Sequence, residues 1–186
     1  MGSIRQPVPV KLVIPMLAGT PAAFERAQTA LVARFGPADY VSNDLPFGET
    51  DYYEGEMGAP LLRRFVAFET LIDPGTLAGI KRFSNEIEEA WSDEGRRSIN
   101  LDPGYLAAAK LVLATTKDYA HRIYIGQGIY AEVTLLYRGG TFEALPWTYP
   151  DYRSAPYHAI LAEIRALYMA TLRASRRSDS STRRSG

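Results

Sequence analysis

Gly126-Gln127-Gly128 separates two runs of alternating apolar residues, and that punctuation restricts the possible folds more than any other feature of the chain. A three-residue loop with glycine free to take positive φ turns its flanking strands back antiparallel. His121 to Ile125 and Ile129 to Arg138 are therefore predicted to form a hairpin. Pairing Ile125 with Ile129 sets its register, and a slip of one residue would turn every side chain to the other face. Ile123, Ile125, Ile129, Ala131, Val133 and Leu135 then share the face expected to be core. Arg122, Tyr124, Tyr130, Glu132 and Thr134 share the other, with Arg122 opposite Glu132 and Tyr124 opposite Tyr130.

Upstream, strands and helices alternate. Lys11 to Leu17 is a strand-length apolar run in which Pro15 suggests an edge or a strand end. Thr20-Pro21 is an N-cap followed by proline at the first helical position, Phe24, Ala27, Leu31 and Phe35 recur at helical spacing, and Gly36-Pro37 stops the helix. Ala38 to Ser42 and Leu61 to Thr70 read as strands on either side of a long loop, Asn43 to Pro60. Asp51, Tyr52, Tyr53 and Glu56 in that loop read either as a lid or as packing side chains. A second helix opens at Asp73-Pro74 with Leu77, Ile80, Ile87 and Trp91 as its buried stripe, and its Lys81, Asn85 and Glu88 are expected on a solvated side. Arg97 to Leu101 completes a β-α-β-β-α-β order. The expected fold is α+β, a ferredoxin-like core extended by a C-terminal antiparallel β-meander and a closing helix. Tyr105 to Thr115 reads as a short helical turn and then a strand.

At 186 residues, with 46% apolar and 23% charged side chains, residues 1–172 suit one globular domain. Disulfides and thiolate metal sites are excluded because the chain has no cysteine. Met1 to Val10 has no apolar core of a signal peptide and no run approaches a membrane span, so the expected location is cytoplasmic, away from membranes. The zero net charge conceals a tail, residues 173–186, with five arginines and one aspartate. That Arg/Ser-rich segment is expected to be disordered. The remaining body is acidic, which argues against a nucleic-acid groove.

Residues 98–138 concentrate the groups able to move protons or pair with charge: Asp102, Lys117, Asp118, His121, Arg122 and Glu132. Arg122 and Glu132 read either as a cross-strand ion pair or as an anion clamp with its orienting carboxylate. His121 reads as a packed histidine or as a base oriented by Asp118. No HExxH or HxH spacing supports a metal site there. Asp102 either caps a helix starting at Pro103 or presents a carboxylate at a strand end. Thr116-Lys117-Asp118 is similar to the guanine-reading element of GTPases but lacks one residue, and no GxxxxGK[ST] loop exists, so P-loop GTPase chemistry is rejected.

Several blocks together carry a resemblance: FGETDYYEGEMG (47–58), FETLIDP (68–74), IKRFSNEIE (80–88), RRSINLDPGYL (96–106), the long segment from Lys110 to Arg138, and LPWTYPDYRS (145–154). They resemble a bacterial family known as domain of unknown function 4416. The resemblance implies one intact domain and passes on the label "GTP-binding protein" that some members carry, with no catalytic residue attached.

Three functional expectations follow. The first is a cytoplasmic binder of an anionic small molecule or nucleotide, with Arg122, Lys117 and Lys110 meeting the anion, Tyr124 or Tyr130 stacking on a base, and Glu132 or Asp118 accepting hydrogen bonds; Thr134 and Asp102 complete the set. The second is an acid/base or metal-assisted hydrolase using His121 and Asp118. The third is RNA binding on an aromatic sheet face. The sequence specifies no cofactor and no oligomeric state.

Overall fold

A computed structural model describes residues 2–48, 57 and 60–182. Ten strands join in a single antiparallel sheet, and three α-helices cover it among those residues. In chain order the elements are β1 (Val10–Ala18), α1 (Pro21–Phe35), β2 (Ala38–Val41), β3 (Leu45–Phe47) and β4 (Leu61–Ile72). There follow a 3-10 turn (Pro74–Thr76), α2 (Leu77–Ala90), β5 (Ile99–Leu101), β6 (Gly104–Ala107), β7 (Lys110–Thr115), β8 (Ile123–Gly126), β9 (Ile129–Arg138) and β10 (Thr141–Ala144). A 3-10 turn (Asp151–Arg153) leads into α3 (Ala155–Thr182).

Alternation along β1 explains the layering. Leu12, Ile14 and Met16 project to one face, where Phe24, Ala27 and Leu31 of α1 and Ile80 and Ile87 of α2 cover them. Val13 projects to the other, beneath Tyr157, Leu161, Ile164 and Tyr168 of α3. Burial on both faces is why β1 and β4 read as nearly unbroken apolar runs. Helix α1 begins as its sequence dictates: Thr20 Oγ1 accepts from the Ala23 amide, Pro21 stands in the first turn, and Gly36 ends the helix at φ +88°. Helix α3 runs past Arg173, where the composition shifts, as far as Thr182.

Four expectations are corrected. Pro15 lies inside a central strand, not at an edge, because its carbonyl still accepts from the Asp102 amide at 2.9 Å and only one ladder bond is lost. Residues 105–115 form no helical turn; β6 and β7 make a tight hairpin there. At Gly104 the strands approach so closely that a Cβ would lie 2.2 Å from the Val112 carbonyl oxygen. The Gly126-Gln127-Gly128 loop has positive φ throughout (+100°, +56°, +77°) and Tyr124 does pair with Tyr130, but Ile125 is the bulged residue. Strand β8 is an edge strand, so Ile123 is 72% exposed instead of buried.

The fourth correction concerns β9. A register shift against β7 between Leu111 and Val112 leaves Thr134 extra, so Leu135 falls on the same face as Glu132 and opposite Val133. The segment from Leu145 to Arg153 then lies along β9, with Trp147 Nε1 and Thr148 Oγ1 donating to the Val133 and Thr134 carbonyls at 2.9 and 2.6 Å. Glu132 and Thr134 are consequently buried.

One irregularity of the sheet positions everything that follows. β5 and β6 lie along β1 in a single register, Leu101 opposite Met16 and Gly104 opposite Val13, interrupted at Asp102-Pro103. β7 follows β6 and reaches Pro103, whose carbonyl accepts from the Ala114 amide at 2.9 Å. Proline has no amide to return the bond, so the ladder ends there. Beyond that point β7 continues with β9 and separates from β5, and a wedge opens in the sheet.

Candidate functional site

The outer edge of β5 would leave backbone groups unpaired, a cost the fold must offset. Helix α2 supplies the partners: Glu88 Oε1 accepts from the Leu101 amide at 2.6 Å, and Lys81 Nζ donates to the Leu101 carbonyl at 2.7 Å. Lys81 and Glu88 are therefore buried, which overturns the expectation of a solvated helix side. Glu88 Oε2 also accepts from Arg97 at 3.1 Å. Burial pushes the Glu88 carboxyl above its usual range against the pull of Lys81.

Between that edge and β7 lies a cavity of about 730 Å³, within the usual size of small-molecule sites. At its floor is Arg63 of β4, almost wholly buried. It donates to Asp102 at 3.0 Å, to Asp151 at 3.3 Å and to the Tyr157 hydroxyl at 3.2 Å, and its guanidinium lies 5.0 Å from the ring centre of Phe47. Burial alone would lower the Arg63 pKa, but the surrounding phenols and carboxylates carry it above its ordinary value.

The two carboxylates on this guanidinium diverge. Burial works to raise Asp102, but Arg63, Lys81 and Asn100 hold it below the usual range, and its side chain remains 25% exposed where it lines the cavity. Burial does raise Asp151, against Arg63 and the Tyr152 amide, with Asp102 adding to the rise. Beside them the hydroxyl of Tyr152, a buried residue of the lining, has no hydrogen-bond partner among the described residues, whereas the Asn100 amide supports the Asp102 carboxylate. Burial holds Tyr152 well above the ordinary phenol value, so its hydroxyl keeps its proton. A buried polar group left unpaired costs about 1–3 kcal/mol.

The far wall is the hairpin side. Arg122 donates to Glu132 at 2.8 Å, to the Lys117 carbonyl at 3.0 Å and to the Tyr149 hydroxyl at 3.1 Å, and all four residues line the cavity. His121 stacks on Trp147 with ring centres 5.1 Å apart, and its Nε2 lies 3.1 Å from Glu132, not against Asp118. Asp118 is exposed. Tyr124 and Tyr130 meet edge to face at 5.4 Å.

The structure thus brings Asp102, Lys117, Arg122 and Glu132 to one cavity, and keeps His121, Asp118, Tyr124, Tyr130 and Thr134 out of its lining. Asp102 caps no helix; β6 follows it. The lid candidates Asp51, Tyr52, Tyr53 and Glu56 lie outside the described residues. Sequence reasoning missed Arg63, Asp151, Tyr152 and Asn100. A signal for Arg63 was present, because two adjacent arginines inside the apolar strand LLRRFVAF must find buried partners. Asp151 lies 88 residues from Arg63, and no local pattern links them. Among the described residues no group of three or more His, Asp or Glu side chains could hold a metal ion, and no helix is long and apolar enough to cross a membrane.

A family model described as Domain of unknown function (DUF4416) matches residues 8–168, and the chain belongs to that family. No curated protein and no solved structure matches it.

Proposed function

We propose that this family member binds an anionic small molecule of nucleotide size in the wedge between β5 and β7, by a geometry other than a P-loop. One observation carries the reading. Among the described residues the cavity gathers five basic side chains (Arg63, Lys81, Arg97, Lys117, Arg122) and four acidic ones (Glu88, Asp102, Glu132, Asp151), with the buried Tyr152 hydroxyl unpaired beside them. A fold that keeps buried charge beside an open space gains when a ligand supplies further partners. The basic side chains would meet the anionic group of the ligand. The strand order β5-β1-β4-β2, with α1 and α2 on one face, supports a ferredoxin-like core; on that reading the site lies where the extension departs from it.

A second reading, acid/base hydrolysis, is favoured by the two carboxylates on Arg63, one held ionised and one pushed toward its neutral form. On this reading Asp102 and Asp151 take the roles that the sequence suggested for His121 and Asp118.

Thermal-shift measurements with nucleoside phosphates, sugar phosphates and inorganic phosphate test the binding reading. A ligand at about a hundred times its Kd stabilises the fold by about 2.7 kcal/mol, enough to raise the melting temperature by several degrees. The double variant Lys117→Ala, Arg122→Ala should lose most of that shift. If no anion raises the melting temperature, or the double variant responds as the parent does, the wedge is not an anion site.

A further inference from the structure

The wedge leaves part of the β7 backbone without the strand that should face it. In a strand the amide and carbonyl of one residue point to the same side, and successive residues alternate. The Ala114 amide donates to the Pro103 carbonyl, so the Ala114 carbonyl also points toward β5 and β6, where Pro103 has no N–H to give it. Two residues on, the Thr116 amide faces the same way. Its partner in an unbroken ladder would be Leu101, whose amide and carbonyl are already held by Glu88 and Lys81 of α2. Ala114 and Thr116 both line the cavity. Next to Pro103, the Asp102 carboxylate gives one oxygen to Arg63 and is still 25% exposed where it lines the same space, so it can accept another bond. Two carboxylates meet the single guanidinium of Arg63, which leaves that end of the wedge with negative charge in excess. The hairpin wall is its counterpart. The bonds of Arg122 to Glu132, the Lys117 carbonyl and the Tyr149 hydroxyl use one N–H on each nitrogen, and each terminal nitrogen carries a second.

We infer that the apex of the wedge is a subsite for the α-amino-acid end of an anionic ligand, with Asp102 and the Ala114 carbonyl accepting from its ammonium group and the Thr116 amide donating to its α-carboxylate. A residue that pairs parallel to a strand gives its N–H to one carbonyl and takes its own carbonyl's bond from the amide two residues on. An α-amino acid carries its nitrogen and its carboxylate with one carbon between them, as a strand residue does, and so spans Ala114 to Thr116. Its ammonium has three N–H groups and serves both acceptors. The same skeleton without the amine offers those acceptors no hydrogen and brings only negative charge toward Asp102. A further anionic group on the ligand's side chain is then directed to Arg122 on the hairpin wall. The ligand class is an acidic α-amino acid, with a carboxylate or a phosphate at the far end. This rests on the anion-binding reading above and names the ligand for it.

Calorimetric titration of the full chain separates the two. The probes are L-glutamate, L-aspartate and O-phospho-L-serine, each beside the same skeleton with hydrogen in place of the amine (glutarate, succinate and phosphorylated 3-hydroxypropanoate). N-acetyl-L-glutamate, adenosine and uridine 5′-monophosphates and inorganic phosphate complete the set. At least one amino acid should bind roughly tenfold or more tighter than its counterpart without the amine, the effect of a hydrogen bond to a charged acceptor. Asp102→Asn should bring the two members of that pair to within about threefold of each other. Acetylation needs no variant: it removes the ammonium charge and two of its N–H groups, so the parent protein should bind L-glutamate at least about tenfold tighter than N-acetyl-L-glutamate. That comparison carries the test if Asp102→Asn fails to fold. Counterparts that bind as tightly as the amino acids, or binding by nucleotides or phosphate alone, would overturn the subsite while leaving the anion site standing. So would an amine preference that survives undiminished in a folded Asp102→Asn. Binding of none of the probes would remove both.

Discussion

Arg63 and Arg64 are adjacent in one strand, each stacks on a phenylalanine, each holds two carboxylates, and they do opposite things. Arg64 points toward α1, 4.8 Å from the ring centre of Phe24, and donates to both oxygens of Asp44 at 2.6 and 3.0 Å and to Glu25 at 2.6 Å. One partner stays wet, Glu25 being 67% exposed, and the other, Asp44, is 22% exposed. Arg63 points the other way, its partners Asp102 and Asp151 border the cavity, and the neighbouring Tyr152 hydroxyl is unpaired among the described residues. The first is a clasp, complete in itself. The second is incomplete, and its incompleteness is what marks a site.

The sharpest way to break this comparison is to remove each arginine. Arg63→Ala leaves two inward carboxylates uncompensated and should cost about 3–5 kcal/mol. Arg64→Ala frees Glu25, which already faces water, and Asp44, which is part-exposed, and should cost less, about 1 kcal/mol. Urea unfolding of both variants decides it, and equal losses would mean that the two clusters do the same structural work.

Acid titration probes the same difference more gently. Asp102 is held below its unfolded value, so its contribution to stability is complete above about pH 4 and is lost as the pH falls through the lower folded value. Asp151 is raised, so its contribution has the opposite sign: it favours the folded protein at low pH and fades as the pH rises through its folded value. Asp102→Asn should therefore flatten the acid limb of the stability curve, measured by urea unfolding between about pH 2 and pH 6. A limb as steep as the parent's would show that Asp102 is not the ionised partner of Arg63.

The smallest effect distinguishes a hydroxyl in use from one held in reserve. Tyr157→Phe removes an acceptor from Arg63 and should cost about 1 kcal/mol. Tyr152→Phe, measured without ligand, should change stability by no more than about 0.5 kcal/mol. A loss at Tyr152 as large as that at Tyr157 would mean that its hydroxyl already has a partner.

What the sequence could and could not convey follows the range of the interactions. The cap at Thr20, the stop at Gly36 and the glycine loop at 126–128 depend on a few neighbouring residues, and each is visible in the letters. Asp102, Lys117, Arg122 and Glu132 stood out because chemically capable residues crowd residues 98–138, and the cavity does gather them. Lys81 and Glu88 did not, because their burial depends on a strand edge that exists only once β7 has turned away. Thr134 and Glu132 were assigned to an open face because alternation has no means of registering a bulge. The aromatic crossing at 145–153 shows proline and ring content without showing that its Asp151 meets an arginine from β4.

Helix α2 touches both sides of the wedge. Its first turn places Leu77 and Ala78 against Val112, Ala114 and Ile129 on the β7–β9 side, while Ile80 and Ile87 pack with Ile99 and Leu101 on the β5 side. Mechanically, the helix is a tie-beam nailed to both jambs of a doorway. The opening cannot spread without stripping apolar side chains from one jamb, so its width is built in before any guest arrives. On the proposed binding function, occupancy would demand little ordering of the frame, and the free energy of each contact would go to holding the guest instead of shaping the room.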